Sequence, residues 1–152
     1  MDAINQPLLH VRDLSVAFHQ PSGTSLAVDR ISFEIKRGEC VALVGESGSG
    51  KSVSALSILK LLPYPTASHP TGSIHFKGHE LLTMSEREIR GIRGNDISII
   101  FQEPMTSLNP LHTIERQIGE TLQLHSAMRG AMVRARTLEL LTQVGIPEPQ
   151  TR

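Results

Sequence analysis

The sequence predicts a mixed α/β fold, and three patterns along its 152 residues support that prediction. Residues 9–35 alternate apolar and polar side chains, as half-buried β-strands do. Residues 41–52 join a short apolar run to a glycine-rich loop, and residues 53–62 continue with helical character. Residues 113–144 place apolar side chains at helical spacing. We therefore expect a β-rich first part, a strand, loop and helix in the middle, and a helical last part.

The first part is predicted to be an antiparallel β-hairpin. Its arms are residues 9–18 and 25–35, and residues 20–23 between them, Gln-Pro-Ser-Gly, are types that favour a turn. A further short strand is predicted at residues 72–78, after a proline-rich loop at residues 63–70.

Two short apolar runs are predicted to be core strands of one parallel sheet. Residues 41–44 are all apolar and residues 97–101 are mostly β-branched, as expected of strands buried on both faces. Cys40 adjoins the first run and, as a small apolar residue, is predicted to be buried there. A single cysteine forms no intrachain disulfide, which fits a reducing compartment.

The loop that follows the first run has the pattern of a phosphate-binding loop. Residues 45–52 spell G-E-S-G-S-G-K-S, which matches G-x-x-x-x-G-K-S between a strand and a helix. Gly45, Gly48 and Gly50 lack a Cβ atom, so the backbone there can take positive φ and turn its N–H groups toward an anion. The N-terminus of the following helix adds its positive dipole end. Lys51 is predicted to contact the β- and γ-phosphates of a nucleoside triphosphate, and the Ser52 hydroxyl is predicted to bind Mg²⁺.

Three more helices are predicted after this unit. Ser85 and Glu88 form an S-x-x-E capping box that opens a short helix to about residue 93. Residues 113–128 and 130–144 have helical spacing, and Gly145 and Pro147 are stop signals after the last helix.

Charge and composition exclude several classes of function. Lys and Arg together number 15, as do Asp and Glu, so no net charge attracts nucleic acid or an anionic membrane. No apolar stretch approaches the roughly 18–20 residues that span a bilayer. The seven histidines show no metal-ligand spacing. We expect no nucleic-acid partner and no metal site built from histidines.

Two classes of phosphate-loop protein fit the sequence poorly. Small kinases place this loop near the N-terminus, directly after the first strand, whereas here a predicted β-hairpin precedes it. GTPases read their base with N-K-x-D, and this sequence contains no such motif.

Residues 99–110 read I-I-F-Q-E-P-M-T-S-L-N-P, with Gln102 at the end of the second predicted core strand. Together with the phosphate loop, this segment resembles the glutamine loop of ABC transporter ATPase subunits. The amino-acid sequence of this segment is similar to that in the di- and oligopeptide importer branch. It resembles most the microcin C-type peptide importers, whose ATPase carries two nucleotide-binding domains in one chain. The likeness extends over essentially the whole chain.

The resemblance implies a P-loop NTPase fold with a RecA-like core, truncated within its helical part. Residues 8–152 would be the N-terminal portion of an ABC-type nucleotide-binding domain. Within it, residues 8–38 would form an antiparallel β subdomain, residues 39–102 the phosphate-loop core, and residues 103–152 the glutamine loop and the start of an α-helical subdomain.

The resemblance also implies roles for individual residues. Phe18 would stack on adenine, which any planar ring can do. Gln102 would contact Mg²⁺ together with Ser52 and sense the γ-phosphate, since the carboxyl end of a buried strand is where such folds place ligands. The implied contacts to ATP are Phe18, Gly45, Glu46, Ser47, Gly48, Ser49, Gly50, Lys51, Ser52 and Gln102.

The implied activity is ATP hydrolysis coupled to the import of peptides across the bacterial inner membrane. The subunit would lie on the cytoplasmic face as a peripheral membrane protein. Its partners would be the membrane permease subunits, a second nucleotide-binding domain and, indirectly, a periplasmic peptide-binding protein. Residues 103–117 and the helices after them resemble the surface that receives the permeases.

Three family motifs do not occur in the 152 residues: L-S-G-G, an apolar strand that ends in Asp-Glu, and a switch histidine. The carboxylate at the end of the Asp-Glu strand orients the attacking water, and without it turnover should fall by roughly 10²–10⁴-fold. We therefore expect the chain alone to bind nucleotide weakly and to hydrolyse little. A non-hydrolysing remnant or interaction fragment of such a subunit stays an open alternative. A DNA-repair or chromosome-associated ABC ATPase agrees less well with the glutamine-loop wording and the neutral charge.

Overall fold

A computed structural model of the chain describes residues 6–102 and 108–151. The chain divides into two compact units between Gly91 and Ile92. No helix in the described ranges is long and apolar enough to cross a membrane. In chain order, the elements are β1 (Leu9–Gln20), β2 (Gly23–Ile35), α1 (Lys51–Ile58), β3 (Ala67–Ser68), β4 (Ser73–Phe76), β5 (His79–Glu80), α2 (Glu86–Ile92), α3 (Ile114–His125) and α4 (Ala131–Gln143).

The antiparallel hairpin predicted from the alternating pattern is confirmed. β1 and β2 pair from Gln20 opposite Gly23 at the turn to Leu9 opposite Ile35 at the far end. β1 also pairs antiparallel with β4, which was predicted as a short strand, and β4 pairs with β5. The two-residue strand β3 pairs with β1 near the hairpin turn. Strands as short as β3 and β5 carry no periodic signal, which is why the sequence did not predict them.

The core of the first unit lies on the central strand β1. The fully buried side chains there are Val11, Leu14 and Val16, and Ile74 of β4 and Ile89 of α2 are equally buried. Each such side chain contributes about 1.5–3 kcal/mol when removed from water. The core of this unit is therefore formed by side chains from the sheet and from α2.

The two predicted core strands do not form, so this part of the prediction is wrong. Residues 41–44 make no strand pairing and Val44 is 89% exposed. Residues 97–101 make a single bridge, from Ile97 to Arg93, and Ile100 is 93% exposed. A parallel strand needs hydrogen-bonded neighbours along its length, and the described residues supply none to residues 41–44 and only that one bridge to residues 97–101. Cys40 is exposed for the same reason, although its predicted position was buried.

The predicted helix after the phosphate loop is confirmed, but both its ends differ. α1 begins at Lys51, earlier than residue 53, and ends at Ile58, well before residue 62. The early end follows from Lys60, which takes a left-handed conformation with φ 50°. The Leu61 N–H then bonds to the Leu56 carbonyl at 2.9 Å, which closes the last turn.

The two predicted helices of the second unit, α3 and α4, are also confirmed. Thr113 caps α3, because its side chain accepts the Arg116 N–H at 3.2 Å. Gly145 follows α4 with φ 78°, and the Ile146 N–H bonds to the Leu141 carbonyl at 3.0 Å. The predicted glycine stop signal therefore works through a left-handed closing residue.

The capping box predicted before α2 is present. The N–H and the hydroxyl of Ser85 donate to Glu88 Oε2 at 2.8 and 2.6 Å, and the Glu88 N–H donates to Ser85 Oγ at 3.4 Å. The hydrogen bond from the Ser85 side chain, followed by that from its backbone, lowers the pKa of Glu88. Ile89 follows directly and is fully buried, so the box fixes the helix start beside a core residue.

The capping box makes stability depend on pH. Because the folded-state pKa of Glu88 is lowered, its carboxylate stabilises the fold above the ordinary glutamate pKa, and this contribution is lost as the pH falls through the lowered value. Ser85→Ala removes the hydroxyl bond. We expect the difference in melting temperature between the unchanged chain and Ser85→Ala to shrink from neutral to acid pH, as measured by circular dichroism.

The matched control is Ser22→Ala, in the exposed turn between β1 and β2. Its difference in melting temperature should not vary with pH. If the Ser85→Ala difference were equally constant, the stabilising role of the ionised Glu88 would be wrong.

Candidate functional site

The phosphate loop is an exposed turn that leads directly into α1. Gly48 and Gly50 take positive φ, 81° and 87°, as predicted. Gly45 does not, so the expectation of positive φ there is wrong. Its lack of a side chain matters for another reason, because a Cβ atom on Gly45 would lie 2.8 Å from Ser49 Oγ. Gly45 therefore gives the loop the space to fold back on itself.

Gly50 anchors the loop to the β-hairpin. It is the N-cap of α1, and a Cβ atom on it would lie 2.6 Å from the Ala27 carbonyl oxygen and 3.0 Å from Val28 Cγ2. Both contacts belong to β2. The close approach fixes the start of α1 against the sheet, and only glycine combines this approach with a left-handed conformation.

The Lys51 ammonium is enclosed by the loop. Its Nζ atom donates to the Gly45 carbonyl at 2.8 Å, to the Glu46 carbonyl at 2.6 Å and to Ser49 Oγ at 3.1 Å. An ammonium has three N–H donors, and these three acceptors match that number. The loop is therefore curled around a positive charge.

Several backbone N–H groups at the start of α1 remain available to a ligand. The N–H groups of Gly48, Gly50, Lys51 and Ser52 donate to no acceptor within residues 6–102 and 108–151. By contrast, the Ser49 N–H bonds to the Glu46 carbonyl at 3.2 Å. Free N–H groups at a helix N-terminus beside an ammonium form an anion site. The predicted phosphate contacts are thus brought together in one place.

Ser52 fits the predicted role of a Mg²⁺ contact. It lies in the first turn of α1, its side chain is exposed, and its hydroxyl has no hydrogen-bond partner in the described part of the chain. A hydroxyl oxygen beside bound phosphates suits Mg²⁺, a hard cation that prefers oxygen ligands and keeps several waters.

Phe18 lies on the same part of the hairpin as the loop anchor. It is a half-buried residue of β1, opposite Ser25 of β2 and Ala67 of β3. Val28, which lies against Gly50, is opposite Val16 of β1. Phe18 is two positions further along β1, about 7 Å from Val16. Phe18 is therefore a half-buried residue two positions along β1 from the partner of Val28. Stacking on a base stays a prediction.

Gln102 belongs to the second unit, where it is exposed and outside any strand. The core strand that was expected to position it does not form. Its predicted contacts with Mg²⁺ and the γ-phosphate therefore stay predictions. Residues 103–107 of the glutamine loop lie outside the described residues.

Sequence reasoning missed the residues that hold these segments in place. Ala27 and Val28 receive Gly50, and Gln117 of α3 receives the end of the glutamine loop through bonds with the Asn109 backbone at 3.0 and 3.1 Å. Contacts between distant positions leave no local pattern, so no motif could have shown them.

Comparisons with known proteins agree with this geometry. A family model described as "ABC transporter" matches residues 28–152. The chain is similar to the peptidoglycan transport ATP-binding protein YejF of Agrobacterium fabrum, with 71% identity over 147 residues that cover 97% of this chain and 27% of the relative. It is also similar to the dipeptide transport ATP-binding protein DppD of Escherichia coli, with 47% identity over 95% of this chain and 44% of the relative.

Solved structures show the same fold. The dimeric, post-hydrolysis structure of the ATP-binding cassette MJ0796 bound to ADP and Pi matches with a TM-score of 0.78 and 25% identity, over 92% of this chain and 58% of that chain. The predicted α/β fold class is therefore confirmed. The chain spans less than half the length of YejF and DppD.

The contact of Gly50 with β2 predicts a difference between two glycines. Gly50→Ala and Gly48→Ala both place a side chain at positive φ, which costs about 1–2 kcal/mol. Only the Gly50 variant also forces a Cβ atom against Ala27 and Val28, since nothing lies within 4 Å of a Cβ on Gly48. Overpacking adds about 1–3 kcal/mol. We expect Gly50→Ala to lower the free energy of unfolding more than Gly48→Ala by that amount, as measured by urea denaturation.

Gly48→Ala is itself the matched control in this experiment, because Gly48 and Gly50 have similar positive φ and lie in the same loop. Equal losses of stability in the two variants would mean that the start of α1 is not fixed against β2.

Proposed function

The chain belongs to the ABC transporter family, and we propose on that premise that it serves in the ATP-binding subunit of a peptide importer. The observation that carries this proposal is the loop curled around Lys51, with free N–H groups at the start of α1. This arrangement is complementary to the β- and γ-phosphates of ATP.

Each residue of the site has a distinct part in nucleotide binding. The N–H groups of Gly48, Gly50, Lys51 and Ser52 bind phosphate oxygens, and the Lys51 ammonium exchanges its carbonyl partners for the β- and γ-phosphates. Ser52 and Gln102 would each supply an oxygen to Mg²⁺, and the ion would supply positive charge beside the phosphates. Phe18 stacks on the adenine ring, and Gln102 also senses the γ-phosphate.

The substrate class is inferred from relatives. YejF of Agrobacterium fabrum is named for peptidoglycan transport and DppD of Escherichia coli for dipeptide transport. Both substrates contain peptides. We propose that the intact subunit couples ATP hydrolysis to peptide import, bound to membrane permeases on the cytoplasmic face of the inner membrane. A second nucleotide-binding domain and, indirectly, a periplasmic peptide-binding protein complete the assembly.

A second candidate is a non-hydrolysing fragment that binds a permease without driving transport. The unpaired apolar runs at residues 41–44 and 97–101 favour it, because an incomplete sheet positions Gln102 poorly. The sequence downstream of codon 152 separates the two candidates. A reading frame that continues with L-S-G-G favours the importer subunit, whereas a stop codon with ordinary expression favours the fragment.

The proposed function predicts that ATP binding depends on Lys51. Hydrogen bonds to a charged group contribute about 1.5–3 kcal/mol, so Lys51→Met should weaken Mg-ATP binding about 10- to 100-fold. Isothermal titration calorimetry measures the affinity. For the unchanged chain, Mg-ATP at 100 times its Kd should raise the free energy of unfolding by about 2.7 kcal/mol.

The matched control is Lys36→Met, which removes an exposed lysine whose Nζ atom is 3.9 Å from Glu34 Oε1. Its affinity for Mg-ATP should equal that of the unchanged chain. If millimolar Mg-ATP produced no thermal shift, or if both lysine variants bound equally well, the proposed function would be wrong.

A further inference from the structure

We propose that His19 is a positioning residue that fixes the strand segment carrying Phe18, and so supports recognition of the adenine base. The proposal rests on the proposed function, in which the Phe18 ring is the platform for the adenine base. It assigns to this base platform a supporting residue that no motif indicates. His19 follows Phe18 in β1, where three strands meet near the hairpin turn.

The His19 ring links these three strands. Its Nδ1 atom is 3.0 Å from Thr24 Oγ1 of β2, and its Nε2 atom is 2.8 Å from Ser68 Oγ of β3. A hydroxyl group both donates and accepts, so each tautomer of a neutral imidazole satisfies both contacts. Because both ring nitrogens are occupied, His19 acts as a brace between strands and has no free nitrogen for a base.

The brace matters because β3 is otherwise weakly held. β3 consists of Ala67 and Ser68 alone, and next to it the His19 N–H bonds to the Thr66 carbonyl at 2.8 Å. A two-residue strand has few ladder hydrogen bonds of its own. Ala67 is opposite Phe18, so β3 is the neighbouring strand on one side of Phe18. A shift of β3 would therefore also shift the Phe18 backbone.

The brace does not itself cover the Phe18 ring, because His19 and Phe18 lie on opposite faces of the sheet. Consecutive residues of a strand point to opposite faces of the sheet, and directly opposite residues share a face. His19 shares its face with Thr24, whereas Phe18 shares the other face with Ser25 and Ala67. His19 therefore holds the strands together from the face opposite to the proposed stacking surface.

The test separates base recognition from phosphate recognition. Inorganic tripolyphosphate engages the phosphate loop and has no base, so His19→Ala should weaken binding of ATP while leaving binding of tripolyphosphate unchanged. Base stacking on an aromatic ring accounts for up to about 100-fold in affinity. A less firmly held Phe18 should lose part of this, so we expect His19→Ala to bind ATP about 3- to 10-fold more weakly. Calorimetric titrations of the 152-residue chain with both ligands measure the two affinities.

Three further variants make the result specific. His19→Gln, which can still bond to Ser68, should restore most of the ATP affinity. Ser68→Ala should weaken ATP binding by itself but add little in the His19→Ala background, because both changes break the same contact. His79→Ala, which changes an exposed histidine in β5, a strand that pairs with β4 and not with β1, should change neither affinity.

A spectroscopic signal reports the platform directly. The chain contains no tryptophan, so Phe18→Trp introduces a single tryptophan at the proposed stacking position. ATP should quench its emission, and His19→Ala in that background should reduce the quenching at saturating ATP. If Ser68→Ala and His19→Ala left both the quenching and the ratio of ATP to tripolyphosphate affinity unchanged, the proposed role of His19 would be wrong.

The two proposals fail in different ways. If ATP binds in a Lys51-dependent manner and the His19 and Ser68 variants have no effect, the proposed function stands and the brace is overturned. Loss of Lys51 dependence itself would overturn the proposed function.

Discussion

The contact between Gly50 and β2 is the constraint on which the candidate site depends. The start of α1 lies against the Ala27 carbonyl, and this contact sets the position of every N–H group that faces a ligand. The Lys51 ammonium then organises the preceding residues through three hydrogen bonds. A backbone contact with the sheet and a single cation therefore hold a loop that has no regular structure of its own. The positions of Ser52 and of the proposed base platform are defined relative to that anchor.

The antiparallel hairpin has a second role besides the core. β2 receives Gly50 through Ala27 and Val28, and β1 carries Phe18 a short distance further along. The same pair of strands thus adjoins the phosphate loop and displays an aromatic ring. Under the proposed function, a nucleotide would extend along the hairpin, with its phosphates at the α1 end and its base toward the turn.

Local patterns predicted the local structure well. The capping box at Ser85, the cap at Thr113 and the stop at Gly145 all involve residues within a few positions of each other, and all three are present. The phosphate loop is also local, so its positive φ at Gly48 and Gly50 followed from the motif. The runs at residues 41–44 and 97–101 differ, because an apolar run becomes a strand only when distant neighbours pair with it. No local pattern reports whether those neighbours are present. The brace at His19 and the anchor at Ala27 were missed for the same reason, since each joins segments that are far apart in the chain.

The exposed runs at residues 41–44 and 97–101 also bear on how the chain behaves in concentrated solution. Each is a short β-prone segment without a partner strand in the described residues, and such segments pair readily with the same segment of another molecule. Self-association grows with concentration, whereas pairing within one molecule does not. A concentrated solution would therefore shift this chain toward aggregation, and dilution would favour the monomer.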